Sequence, residues 1–251
     1  MNSVSVFQFS NLTRKFSARS WRFRAQVITA LAAGSLAAVA APAQTTPAQA
    51  DRTLRTIMTS ASFAKAVMAL DAGHEGWVED IVRLTEIPAP PFKEAARAKA
   101  YFDMFRKRNL SDVEIDEEGN VLGLRKGSGG GRLIIVSAHL DSVFPEGTVV
   151  KVCRDGDKLR APGVGDDSSG LATQLQYIDA LDTARMKTKD DILFVGTVGE
   201  EGLGDLRGVR HLLTKGKYKG RATAFFSLDG SGGDTITTGG AGSKRYRISF
   251  A

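Results

Sequence analysis

Apolar residues are spaced along this chain in two rhythms, one helical and one strand-like. Across 52–70 the side chains Leu54, Ile57, Met58, Phe63, Val67, Met68 and Leu70 recur at near-helical spacing, which predicts one amphipathic helix. A second helix is predicted over 75–85, ended by Pro88, Pro90 and Pro91, and a third over about 93–107. The rhythm then shortens. Val113 and Ile115, the turn Glu118-Gly119-Asn120, and Val121 with Leu122 predict a hairpin, and the unbroken run Leu133-Ile134-Ile135-Val136 predicts a buried strand. Helical patterns over 169–181 and 206–215 alternate with strand patterns over 192–198 and 222–228. Such alternation implies an α/β sandwich. No pattern repeats at a fixed period, which disfavours solenoids and propellers.

Two segments are readable as connections. Residues 44–50, with Pro47 among small polar residues, read as a linker ahead of folded structure. Gly127-Ser128-Gly129-Gly130-Gly131 has no Lys-Ser/Thr after it and precedes its strand, so it reads as a flexible turn and not as a phosphate cradle.

Charge enters the picture through its location. The chain of 251 residues has a formal charge of +6, with 34 Lys and Arg against 28 Asp and Glu. Arg14, Lys15, Arg19, Arg22 and Arg24 all precede the first acidic residue, Asp51, and without those five the charge falls to +1. The balance of the rest, with no basic-aromatic stripe, argues against nucleic acid as a partner. The apolar, small-residue run 25–40 follows the cationic stretch and is trailed by Ala41-Pro42-Ala43, a layout that predicts a signal peptide over 1–43. A membrane anchor is the competing reading, but the run contains Gln26, Thr29, Gly34 and Ser35 and falls short of the ~20 apolar residues a spanning helix needs. The expectation is therefore an exported protein, periplasmic or secreted, with no stable membrane anchor once the leader is cleaved. Cys153, the single cysteine, has no intramolecular partner and is expected to be buried as a small apolar residue.

Candidate chemistry sits at the ends of the predicted strands, where α/β sheets gather their sites. Ser137-Ala138-His139-Leu140-Asp141-Ser142 offers an imidazole able to ligate a divalent cation, and a carboxylate two residues on that can accept the hydrogen bond of its other ring nitrogen. Gly163-Val164-Gly165-Asp166-Asp167-Ser168-Ser169-Gly170 sets two adjacent carboxylates in a glycine-flanked loop before a helix. An Asp helix cap would explain one of them. Val198-Gly199-Glu200-Glu201-Gly202 ends an apolar strand with two glutamates, and Ser227-Leu228-Asp229-Gly230 ends another with an aspartate. Each alone is as well explained by solvated or capping carboxylates. Their joint recurrence at strand ends is what points to divalent cations.

The segments HLDSVFPEGT, GVGDDSSGLA, GTVGEEGLGDLRGVRHL and SLDG resemble the motifs of the co-catalytic zinc peptidase family that contains tripeptide aminopeptidase, carboxypeptidase G and acetylornithine deacetylase. The resemblance runs from about Trp77 to the end. It implies a mixed central sheet with helices on both faces, and two Zn2+ ions. By resemblance His139, Asp166 and Asp229 would hold one zinc, and Asp166 would bridge to a second that Glu201 also binds. Asp141 would orient His139, and Glu200 would be the general base in hydrolysis of the C–N amide bonds of short peptides. The family pattern includes a further metal-binding His downstream that does not occur by Ala251; His74 and His211, the other histidines, are not expected to replace it. The same resemblance divides the chain into a catalytic domain over 51–238, incomplete, and the start of a lid or dimerisation domain over 239–251, where the alternation over 243–250 predicts a strand. A homodimer is then an expectation only for a full-length form. Two alternatives stand beside this reading: a related two-zinc aminopeptidase without the lid domain, which GDDSSG also resembles, and an inactive metal-binding module.

Overall fold

The computed structural model describes residues 46–129, 131–230, 236–239, 242 and 248–250. The expected leader over 1–43 and most of the strand expected over 243–250 lie outside these residues, and Ile248 to Phe250 carry no regular structure.

Four helices come first: α1 (Pro47–Met58), α2 (Ala61–Ala72), α3 (His74–Thr85) and α4 (Ala95–Arg106). Two expectations are corrected here. The linker reading of 44–50 fails from Pro47 onward, because Thr46 and Gln49 form a capping box and Pro47 occupies the first turn, where its missing N–H costs nothing. The single helix predicted over 52–70 is two, because Ser60 caps α2 by accepting the Phe63 N–H at 3.2 Å. The apolar spacing carried across a break that only this short side chain marks.

The hairpin β1 (Ser111–Ile115) and β2 (Val121–Arg125) leads into β3 (Leu133–His139), the small exposed hairpin β4 (Cys153–Asp155) and β5 (Lys158–Arg160), α5 (Ser168–Thr183), β6 (Asp191–Thr197), α6 (Arg207–Thr214) and β7 (Ala222–Ser227). The main sheet has the order β1-β2-β6-β3-β7, with antiparallel pairs on the β1 side and parallel pairs β6/β3 and β3/β7. The mixed α/β sheet is thus as expected. β4 and β5 have no counterpart in the expectations, and Cys153 is exposed there, not buried: every residue of this three-residue strand faces solvent. Nor is the glycine-rich turn free. The Ser128 and Gly129 N–H groups donate to Thr188 and Lys189 carbonyls at 2.9 and 2.8 Å.

The two faces of β6 show how the sheet is held. Ile192 and Phe194 point into a core shared with Tyr101 and Phe105 of α4 and with Leu171, Leu175 and Ile178 of α5. Leu193 and Val195 point the other way, into a second core with Leu212 of α6 and Tyr218. Period-two alternation inside the apolar run 192–195 therefore places helices on both faces. Each fully buried side chain of this kind contributes roughly 1.5–3 kcal/mol.

Candidate metal centre

Register brings the candidate residues together. β3 and β6 pair in parallel so that His139 lies abreast of Thr197, three residues before Glu200, and Ser137 of β3 lies abreast of Ser227, two residues before Asp229. The Leu140 and Leu228 N–H groups continue this pairing past the strand ends, donating to Thr197 and Ser137 carbonyls at 2.7 and 2.8 Å. The loop into α5 then carries Asp166 over the same edge. As a result His139, Asp166 and Asp229 form one group that could hold a metal ion, and His139, Glu200 and Glu201 another, with ligand atoms in each within 4.8 Å of one another.

His139 is buried, and both of its ring nitrogens are engaged. Nε2 is 2.8 Å from Asp166 Oδ1 and 3.9 Å from Asp229 Oδ1. Nδ1 is 3.0 Å from the main-chain carbonyl of Asp141 and 3.6 Å from its carboxylate. The expectation that the Asp141 carboxylate takes this hydrogen bond is corrected: 3.6 Å is too long, and the carbonyl is the acceptor. The carboxylate turns instead to the glutamates, accepting the N–H of Glu200 at 3.0 Å and of Glu201 at 2.9 Å. With Nδ1 committed to a carbonyl, Nε2 is the nitrogen left to face a cation.

The adjacent aspartates divide. Asp166 is 54% exposed on its side chain and faces His139. Asp167 is fully buried, accepts the His139 N–H at 2.8 Å, and caps α5 by accepting the Gly170 N–H at 3.2 Å. A β-carbon at position 170 would collide with the Asp167 carboxylate, so the cap itself requires that glycine. The peptide between the two aspartates is cis.

Charge crowding shows in the acidities. Burial works against the His139 imidazolium, yet Asp141, Asp167 and Asp166 outweigh it and push the ring up to about 10. Burial, helped by Asp229 and Asp166, pushes Asp167 up to about 8. Glu200 and Glu201 are also raised, first by burial and then by neighbouring carboxylates, among them Asp229 for Glu200 and Asp166 for Glu201. Burial opposes the charge of Asp141 too, but His139 and the two glutamate amides more than offset it and hold this carboxyl low. The donor set fits a divalent cation on these grounds: one nitrogen and several oxygens converge, and without positive charge the carboxylates are driven toward protonation.

The residues singled out in the sequence, His139, Asp141, Asp166, Glu200, Glu201 and Asp229, thus all reach this edge. His74 and His211 are in neither group among the described residues. Sequence reasoning allowed a helix cap for one of the two aspartates without choosing Asp167, which is the one that caps α5, and it missed Arg97. The Arg97 side chain is buried beneath the site, donating to the Leu140 carbonyl at 2.8 Å and twice to the Ile87 carbonyl. Its guanidinium is pulled down to about 10 by burial, while Asp141 and Asp167 act to hold its charge. An Arg in an ordinary helical pattern carries no local sign of such burial.

An α/β domain with a candidate metal site at the edge of its sheet is the class that this fold and donor set define. The family described as Peptidase family M28 matches residues 120–244, a stretch that contains every residue of both groups. Carboxypeptidase G2 of Pseudomonas sp. (strain RS-16) is 34% identical over 92 residues, 36% of this chain and 21% of that protein. Two solved structures share the fold: human carnosine dipeptidase 1, with TM-score 0.56 and 13% identity over 68% of this chain and 41% of that one, and the aminopeptidase PepT of Bacillus cereus, with TM-score 0.52 and 22% identity over 63% and 44%. The match to that family is one of similarity over 120–244, in line with the zinc peptidase motifs that the sequence resembles. It spans 21% to 36% of the length of the curated relatives it matches.

Proposed function

We propose that this chain carries the chemical centre of a zinc-dependent peptidase or amidohydrolase that cleaves C–N amide bonds of short peptides. The observation that carries the reading is the convergence on His139 of Asp166 with Asp229 and of Glu200 with Glu201. The carboxypeptidase, aminopeptidase and dipeptidase among its relatives and fold neighbours support peptide chemistry. A divalent cation bound at such a site polarises a carbonyl and lowers the pKa of water toward ~7.

The chain's own residues supply the rest. Glu200 is the general base: it takes a proton from the attacking water and returns it to the leaving amine nitrogen. A carboxylate raised by burial is better matched to that task than an exposed one. Asp141 positions it, holding the Glu200 and Glu201 amides with one end of the residue and the His139 ring with the other. His139 is common to both groups and has one nitrogen available, so one zinc site is strong and the other weak. The basic leader with its apolar run supports export, and the peptide substrate would be met outside the cytoplasm.

The test is Glu200→Gln, assayed for peptide hydrolysis and metal content. Removal of a positioned base is expected to lower turnover by ~10²–10⁴-fold with metal retained. Unchanged hydrolysis would remove Glu200 from the chemistry, and no hydrolysis by the unaltered protein would favour a noncatalytic metal-binding module.

A further inference from the structure

The turn that presents Glu200 and Glu201 is an unusual piece of backbone. Gly199 and Gly202 have φ of 60° and 52°, and on the way back into α6 the non-glycine residues Asp205 and Leu206 also adopt left-handed conformations, at 52° and 56°. L-residues adopt these conformations only where the surroundings impose them. Asp141 holds the two glutamate amides from the site side. From behind, the turn is held by Arg207.

Arg207 makes that contact with both backbone and side chain. Its N–H donates to the Gly199 carbonyl at 3.2 Å, and the next N–H, of Gly208, donates to Val198 at 3.0 Å. Its side chain packs directly on Gly199: a β-carbon at position 199 would lie 2.5 Å from both Arg207 Cγ and Nε. The guanidinium is then gripped between two elements. Nη2 donates to the buried Glu94 carboxylate at 2.8 Å, and Nη1 donates to the Glu118 carboxylate and carbonyl at 3.0 and 3.1 Å. Glu94 is itself fixed by the Phe92 N–H at 3.1 Å, and the Phe92 ring lies 5.5 Å from the guanidinium carbon.

We propose that Arg207, clamped between Glu94 and Glu118, is a positioning residue for Glu200 that fixes the Gly199 turn from behind while Asp141 fixes it from the site. The inference rests on the reading of Glu200 as the base. A carboxylate aimed by a short turn is displaced when the turn relaxes, and a misplacement of about 1 Å can cost on the order of 10²-fold in rate.

The test uses Arg207→Met and Arg207→Lys in the protein, with steady-state kinetics on a peptide and residue-resolved amide exchange. Arg207→Met is expected to lower kcat by ~10–10²-fold with KM little changed. It should also speed exchange of the Glu200 and Glu201 amides by about tenfold or more while β3 amides stay protected. Arg207→Lys, which keeps the charge but not the fork, should recover part of both. If Arg207→Met does not fold, Glu94→Gln carries the same two readouts. Unchanged exchange at Glu200 and Glu201 in a folded variant overturns the proposal, as does equal acceleration throughout the sheet, which would make the role general stability. Because exchange is read without turnover, it decides on Arg207 even if Glu200→Gln shows that the base is another residue.

Discussion

The two acidic pairs at the sheet edge solve the same crowding problem in opposite ways. In the first, the side chains divide the work: Asp167 is spent inward on the His139 N–H and the α5 cap, and only Asp166 reaches the site. In the second, a third carboxylate does the structural work. Asp141 takes both backbone amides, so the side chains of Glu200 and Glu201 are both left for chemistry. Two adjacent acids in a motif are therefore not two equivalent ligands. What separates them is which backbone donors lie within reach.

That contrast can be broken most sharply at the aspartates. Asp167→Ala removes a cap and orphans a buried N–H, and is expected to destabilise the chain by about 2–4 kcal/mol in urea unfolding. Asp166→Ala, at an exposed side chain, should stay within about 1 kcal/mol while weakening metal binding. Equal stability losses at the two positions would erase the distinction. Asp167→Asn keeps the acceptors and removes a charge that burial disfavours, so it should fall well short of the alanine loss.

A smaller, graded effect is expected from pH in the metal-free chain. Asp167 has a raised folded-state pKa, so the stability it contributes is full below its unfolded value near 3.8 and is lost as pH rises through about 8. His139 is raised as well, so its contribution is full below 6.5 and is lost as pH rises through about 10. Glu200 and Glu201 act in the same direction as Asp167. Asp141 opposes them only at the acid end, because its lowered pKa gives stability that is lost as pH falls below about 3.8. The Tm of metal-free protein should therefore fall from pH 5 to pH 9, and saturating zinc should flatten or reverse the slope. A Tm that rises with pH without metal would contradict the crowding account.

Much of this was legible in the chain because it is written in local patterns. The apolar runs of β3 and β6 end at His139 and shortly before Glu200, and a strand end in a parallel sheet is a position with functional meaning. What was not legible depends on distance. Arg207 meets Glu94 across 113 positions and Arg97 meets Leu140 across 43, and neither arginine differs locally from one on a solvated helix face. The Asp141 side chain was assigned to the imidazole two residues away, when its partners lie 59 and 60 residues on. Cys153 failed for a different reason. Average burial of its residue type carries no information on a three-residue strand whose residues are all exposed.

Whether a cation sits among these acids is read by calorimetric titration of metal-free protein with zinc, alongside His139→Ala. The prediction is one tight binding event and a second, weaker one, with the tight event lost in His139→Ala. Two equally tight ions per chain, or a variant that binds zinc as the unaltered protein does, would contradict it.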